Sequence, residues 1–459
     1  MVSSVGARFP HERLVLVLIA LSTLLVINPR NVQDVTRLGL TRSIIERGSL
    51  NIDPWAHMTT DRAFRAGHWY SDKAPGVSFV AIPPLAVMLG VDRVLPNPDK
   101  KTFWDRQSHM WLLRMITSGI PLLVAAWLVG RVAERLRPGY GALVAITFAV
   151  GTMAGPLGAT TFEQDGAMAL GFSSFYLVAR SPRLAVAAGA LSGAAVLFEY
   201  QAVLVALAVA VYIGWRYGVR RLLEFGLGGA PAAVVLGAYD WAAFGSPFHL
   251  SYKYVANEYT ERQHHGFFGI GTPTLHGVWY LFLDGKGLLL VSPVLVAAAA
   301  GLVALWRRGV RAEAALYIAI TLIFLFADMG YFEPYGGTSP GPRFFAPALP
   351  FLALGLVEAY RRWPVPTSLL ALWSFSWTTL DGITWAILNK LKLKWDPNTV
   401  WGRLPVIKLH MGLELVYVGV AMTVAYAAFL LLEARSMERG AVEDERVGVA
   451  WVPARQAGR

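Results

Sequence analysis

The feature that most restricts how this chain can fold is a series of long, uninterrupted apolar runs. They lie at about 13–29, 108–130, 141–158, 164–180, 183–198, 201–215, 222–243, 287–305, 311–328, 345–360, 365–389 and 408–432. A bilayer core is crossed by roughly 20 apolar residues in helical form, so these runs read as about twelve transmembrane helices. They are continuous rather than alternating, which argues against a lipid-facing β-barrel. Composition agrees: 55% of the 459 residues are hydrophobic, 15% are charged, and the mean hydropathy is +0.47. A soluble α/β enzyme, a disordered chain and a coiled coil are excluded. The expected fold class is an all-α polytopic membrane protein.

Charge orients the spans. The formal net charge is +11, which in such a chain reports topology before it reports nucleic acid. Thirteen arginines fall in one set of short loops: Arg131, Arg135, Arg137; Arg180, Arg183; Arg216, Arg220, Arg221; Arg307, Arg308, Arg311; Arg361, Arg362. The positive-inside rule makes these loops cytoplasmic. Twelve crossings then place both termini inside, with residues 1–432 as one transmembrane domain and 433–459 as a cytoplasmic tail. Arg8, His11 and Arg13 precede an apolar run with no small-residue cleavage site after it, so that run is expected to stay as the first span. The uncharged stretch 75–91 contains Pro83 and Pro84. It reads as a re-entrant or broken segment on the outer side, where irregular backbone must be buried in protein or line a cavity.

The opposite face holds the long polar segments 30–74, 96–107, 244–286, 329–344 and 390–407. Functional residues on a helical scaffold concentrate in such segments. In the first, Asp34, Arg37 and Thr41 share a helical face; Asp34 can act as a general base or, with Asn31, cap a helix start. Next comes a stretch rich in hydrogen-bonding groups, with Asp61, Tyr70 and Lys73. Asp61 can serve as a base or hold a sugar hydroxyl, and Lys73 can meet a phosphate; the bland alternative is a solvated loop with interfacial aromatics. Glu163 and Asp165 can converge on a divalent cation or a sugar, or form an acidic helix start. Lys286 and Arg343 stand where outer segments re-enter the membrane, placed to stabilise a departing phosphate or merely to snorkel. Lys253, His264 and His265 add weaker polar signals, the adjacent histidines lacking further ligand spacing for a metal. Asp381 lies inside a span, a functional candidate by default. With no cysteine in the chain, disulfides and thiolate metal sites are excluded.

Several blocks together resemble the polyprenyl-phosphate-dependent glycosyltransferases of the GT-C fold, in particular bacterial members related to protein O-mannosyltransferases, glycosyltransferase family 39. They are TRSIIERGSLNID at 41–53, DRAFRAGHWYSDKAPGVSFVAIPP at 61–84, GTMAGPLGATTFEQD at 151–165, YDWAAFGSPFHLSYKY at 239–254, GKGLLLVSPVLVAAAAGL at 285–302 and YGGTSPGPRFFAPALPFL at 335–352. The resemblance implies a plasma-membrane enzyme with an extracytoplasmic site, moving a hexose or pentose from a polyprenyl-phosphate donor to a hydroxyl of a glycan, lipid or protein, with inversion. It implies a catalytic acid in the first outer loop, for which Asp34 is the best match and Asp61 the competitor. Glu163 and Asp165 match a second acidic position, and they would hold a divalent cation if one is used. Arg37, Tyr70, Lys73, Tyr252, His265, Lys286 and Arg343 complete the expected substrate-binding set, with Trp279 as a further stacking aromatic. Membrane lipids are expected partners and nucleic acid is not. A transporter or flippase of lipid-linked sugars would share the spans and the basic interface residues. The absence of an internal repeat disfavours it, and an acyltransferase lacks any Ser–His or His–Asp arrangement here.

Overall fold

The computed structural model describes residues 8–24, 31–95, 102–337, 339–388, 420–430 and 433. The expected outer segment 390–407, residues 96–101, the ends of the first and last spans, and the tail beyond 433 lie outside the described residues.

The described chain is helical, with one short antiparallel hairpin, Ala63–Arg65 against His68–Tyr70. Among the described residues, three helices are long and apolar enough to cross a membrane: Ser108–Leu136, Val219–Phe244 and Arg311–Gly330. A fourth crossing is available if Arg343–Ala353 and Leu356–Arg362, bent by 57°, count as one span. Five shorter apolar helices accompany them: Gly141–Val150, Pro182–Phe198, Ala202–Tyr217, Val294–Arg307 and Val420–Leu430. The class is the one expected, but helix length does not establish the count of twelve. Part of the difference comes from breaks. The run 141–158 divides into Gly141–Val150 and Ala154–Gly158, and 287–305 divides at Ser292–Pro293. A ten-residue helix rises about 15 Å, half of a hydrocarbon core. The stretch 75–91 is broken as expected, into Gly76–Val80 and Ile82–Val94. One boundary moves the other way: Arg131 and Arg135 ride on the last turns of the Ser108–Leu136 helix, not in a loop.

Close helix contacts are made by glycine. A Cβ on Gly189 would fall 1.9 Å from the Phe225 carbonyl oxygen, and one on Gly228 1.9 Å from that of Val186. Ala185–Phe198 and Val219–Phe244 therefore touch backbone to backbone, which small residues permit and lipid-exposed helices need, since apolar side chains gain nothing by leaving lipid for protein. Leu207, Val211, Leu227 and Val234 stand exposed on the outer faces of their helices, as a lipid-facing belt requires.

The segments around 32–113 form a hydrophobic cluster of their own. Val35 and Leu38 of the Val32–Arg47 helix are fully buried against Leu85, Trp104 and Leu113. In contact with water, each such side chain contributes about 1.5–3 kcal/mol. This packing fixes the helix that begins the candidate site.

Candidate active site

The site starts with a helix cap. Asn31 and Asp34 cap the Val32–Arg47 helix reciprocally: the Asp34 amide donates to Asn31 Oδ1 (3.0 Å) and the Asn31 amide to Asp34 Oδ2 (2.7 Å). Arg114 Nη2 donates to the same Oδ2 at 2.6 Å, and the Thr161 hydroxyl donates to Oδ1. Asp34 is fully buried, both oxygens occupied, clasping three chain segments together. Of this helix start, Asn31, Val32 and Gln33 line the adjoining cavity, and Asp34 does not.

Gln33 Nε2 donates to Asp61 Oδ2, while Gln33 Oε1 accepts from Arg37 Nη1 at 2.5 Å. Arg37, completely buried, forms an ion pair with Glu163. Burial, then the neighbouring Arg343, pulls the Arg37 pKa down to about 10 against the opposing pull of Asp61, Asp72 and Glu199. Glu199 joins through Gln164, whose Nε2 donates to it at 3.0 Å.

The hairpin turns at Ala66 and Gly67, both at positive φ, and so returns the chain to place Asp72 and Lys73 beside Asp61. Lys73 Nζ lies 2.9 Å from Asp72 Oδ2 and 3.4 Å from Asp61 Oδ2. The two acids differ. Burial pushes Asp61 up, but Lys73, Arg343 and Arg37 outweigh it and hold its pKa below the usual carboxylate range. Burial dominates at Asp72 and raises its pKa; its Oδ1 is buried without a hydrogen-bond partner.

These groups face a cavity of about 490 Å³, within the range of small-molecule sites. Gln33, Asp61, Asp72, Lys73, Glu163 and Arg343 line it, with Tyr252, Tyr259 and Tyr331 as its aromatic wall. Arg343 is 5% exposed; its Nε and Nη1 have no hydrogen-bond partner, and its guanidinium lies 4.4 Å from the centre of the Phe162 ring. A Cβ on Gly336, which has a φ of +70°, would meet Arg343 Nε at 2.5 Å. The Gly336–Gly337 turn can cover the arginine only because it has no side chains.

Five of the expected site residues thus meet at one cavity: Asp61, Lys73, Glu163, Tyr252 and Arg343. Arg37 lies directly behind them. The others do not line it. Asp34 is the clasp just described. Asp165 is buried in the bundle, and a Cβ on Gly158 would sit 3.4 Å from its Oδ2. Tyr70 packs on Phe244, with ring centres 5.4 Å apart. His265 and Trp279 are exposed. Lys286 is buried with its Nζ 5.4 Å from the Tyr335 ring centre, and Asp381 is buried in the Pro364–Leu388 helix. Sequence reasoning did not single out Gln33, Tyr331 or Glu333, and it quoted Asp72 without a role.

Glu163 and Asp165 do not converge, and no group of three or more acidic, histidine or cysteine side chains suited to a metal occurs among the described residues. Asp61 and Asp72 already share Lys73, and Glu163 has Arg37. This donor set does not fit a divalent cation.

No protein-family model matches the chain, and no curated protein matches it. Solved structures do. ArnT from Cupriavidus metallidurans, bound to undecaprenyl phosphate, aligns with a TM-score of 0.55 at 14% identity, over 92% of this chain and 74% of that one. The archaeal oligosaccharyltransferase AglB from Archaeoglobus fulgidus, in complex with an inhibitory peptide and a dolichol-phosphate, aligns with a TM-score of 0.44 at 14% identity, over 91% of this chain and 56% of that one. The Archaeoglobus fulgidus oligosaccharyltransferase in complex with Zn and sulfate aligns with a TM-score of 0.44 at 13% identity, over 80% and 53%. The chain thus spans little more than half the length of the archaeal enzymes. The likeness to ArnT shows the fold, and the GT-C fold expected from the sequence is the fold of this chain.

Proposed function

We propose that this chain is a membrane glycosyltransferase that moves a sugar from a polyprenyl-phosphate donor to an acceptor hydroxyl. The observation that carries the reading is the cavity: distant segments of a GT-C fold bring one lysine and one arginine to face buried carboxylates around a space fit for a sugar phosphate. ArnT, which shares the fold, was solved with undecaprenyl phosphate bound, and a lipid-linked donor is proposed here in keeping with that.

Asp61 is the proposed base. A base must rest deprotonated, and the cations around Asp61 keep it ionised. Gln33 would fix the orientation of its carboxylate. The acceptor oxygen attacks the anomeric carbon as its proton passes to Asp61. The bond from that carbon to the phosphate oxygen breaks, with the electron pair leaving on the polyprenyl phosphate. Lys73 and Arg343 stabilise that charge, and Tyr252 supplies a face for the sugar ring. One displacement inverts the anomeric centre.

Helix ends support an extracytoplasmic site. Glu163 precedes Gln164–Arg180 and Tyr331 follows Arg311–Gly330, both lining the cavity, while Arg180 and Arg311 mark the far ends. The positive-inside rule then makes the cavity extracytoplasmic. Purified protein in detergent, given labelled polyprenyl-phosphate sugar and acceptor, is expected to release polyprenyl phosphate and form glycosylated product. A flippase would leave the donor intact in the absence of a second compartment.

A further inference from the structure

The end of the bundle remote from the cavity holds a second organised polar feature that sugar transfer does not use. Glu358 is fully buried and ringed by four arginines. Arg308 Nη1 donates to it at 2.6 Å and Arg362 Nε at 3.2 Å. Arg137 Nη2 and Arg361 Nη1 complete the ring at 3.6 and 3.7 Å. Arg308 Nη2 also donates to the Leu136 carbonyl at 2.6 Å, tying together the ends of two helices.

Charge accounting shows that the ring exceeds structural need. Three helix C-termini meet here, those of Ser108–Leu136, Val294–Arg307 and Leu356–Arg362. Each presents roughly half a negative charge. With the Glu358 carboxylate they neutralise about two and a half of the four positive charges. A surplus of roughly one and a half remains. The strain shows at Arg137: burial first, then the like charges of Arg308 and Arg361, lower its pKa. Its Nε is buried with no hydrogen-bond partner. Topology alone does not demand such convergence, since Arg180, Arg183 and Arg216 stand exposed as simple flanking charges.

We propose that this ring is a binding site for the phosphodiester headgroup of an anionic membrane lipid. The surplus matches one or two phosphodiester charges. The location is a junction of helix ends beside the exposed Trp363 and Val365, the setting in which tryptophan marks a membrane interface and basic pockets between helices hold anionic headgroups. The Arg361 side chain is 46% exposed and that of Arg362 37%, so both can reach a headgroup while Arg308 keeps Glu358.

The test is lipid titration of the full-length protein in neutral detergent, read by native mass spectrometry and thermal melting. Cardiolipin is expected to bind and to raise the melting temperature, while phosphatidylcholine and inorganic phosphate do neither. The double substitution Arg137→Gln with Arg361→Gln should weaken cardiolipin binding by about tenfold or more and remove the thermal increment; Arg180→Gln with Arg183→Gln should leave both intact. If the double variant does not fold, Arg361→Gln alone leaves Glu358 three arginines and should show part of the loss. Equal binding of phosphatidylcholine, or undiminished cardiolipin binding in these variants, overturns the proposal. A full thermal shift from inorganic phosphate overturns the lipid assignment in favour of a soluble anion.

Discussion

At the scale of single residues, Asp34 is tied into the buried interior while Asp61, the proposed base, lines the cavity. Asp34 holds the cap, Arg114 and Thr161, all in the buried interior. Asparagine there keeps one acceptor oxygen but loses the charge that pairs with the buried Arg114 guanidinium, and losing a charge-assisted bond of this kind costs about 1.5–3 kcal/mol. Asp34→Asn is therefore expected to lower thermal stability markedly, as a melting curve of the purified protein would show. Spacing named the capping box and the base as rival readings of Asp34; it could not reveal the ion pair with Arg114, eighty positions away. Gln33 was illegible for the same reason: only the helix's docking decides which neighbour of Asp34 faces the cavity. The pH dependence separates Asp61 from Asp72. A depressed pKa keeps Asp61 ionised until pH falls below the usual carboxylate range, and any stability it contributes is present above its unfolded pKa and lost as pH falls through the folded one. The acid limb of kcat/KM is expected below that range. A limb above it would assign the base to Asp72, which burial raises.

Elements were legible where hydrophobic length and loop charge agree. Gln164–Arg180, Ala202–Tyr217, Val219–Phe244 and Arg311–Gly330 fall within a few residues of the apolar runs. The break near 75–91 was readable because Pro83 and Pro84 announce it. The breaks at 151–153 and 292–293 were hidden, because Gly151–Met153 and Ser292–Pro293 end a helix without ending the apolar run. Glycine contacts were hidden too. Nothing in the run around Gly189 says that a second helix comes within backbone distance of it. Replacing Gly189 by valine puts a side chain where the Phe225 carbonyl stands. Overpacking of this kind typically costs about 1–3 kcal/mol, and the helix pair must separate. Reduced stability and yield are expected, measurable by size-exclusion profile and melting temperature, whereas valine at Gly226, where a Cβ meets nothing within 4 Å, should be tolerated.

At the scale of the molecule, Gln164–Arg180 and Arg311–Gly330 carry arginine at one end and meet the cavity at or beside the other. The chain has no cysteine, and single cysteines therefore report sidedness directly. His265→Cys is expected to react with an impermeant maleimide from the extracytoplasmic side, and Arg183→Cys from the cytoplasmic side alone. The expected orientation rests on the arginines of the short loops. The sequence did not show which outer residues converge, because Asp61, Glu163 and Arg343 are brought together only by helix packing. The most direct test is the release of polyprenyl phosphate from labelled donor by wild-type protein and by Asp61→Asn, both checked for intact melting. Loss of a general base typically costs about 10²–10⁴-fold, and a fall of that size in protein that still melts as a folded species is expected. Turnover by Asp61→Asn at the wild-type rate would contradict the account.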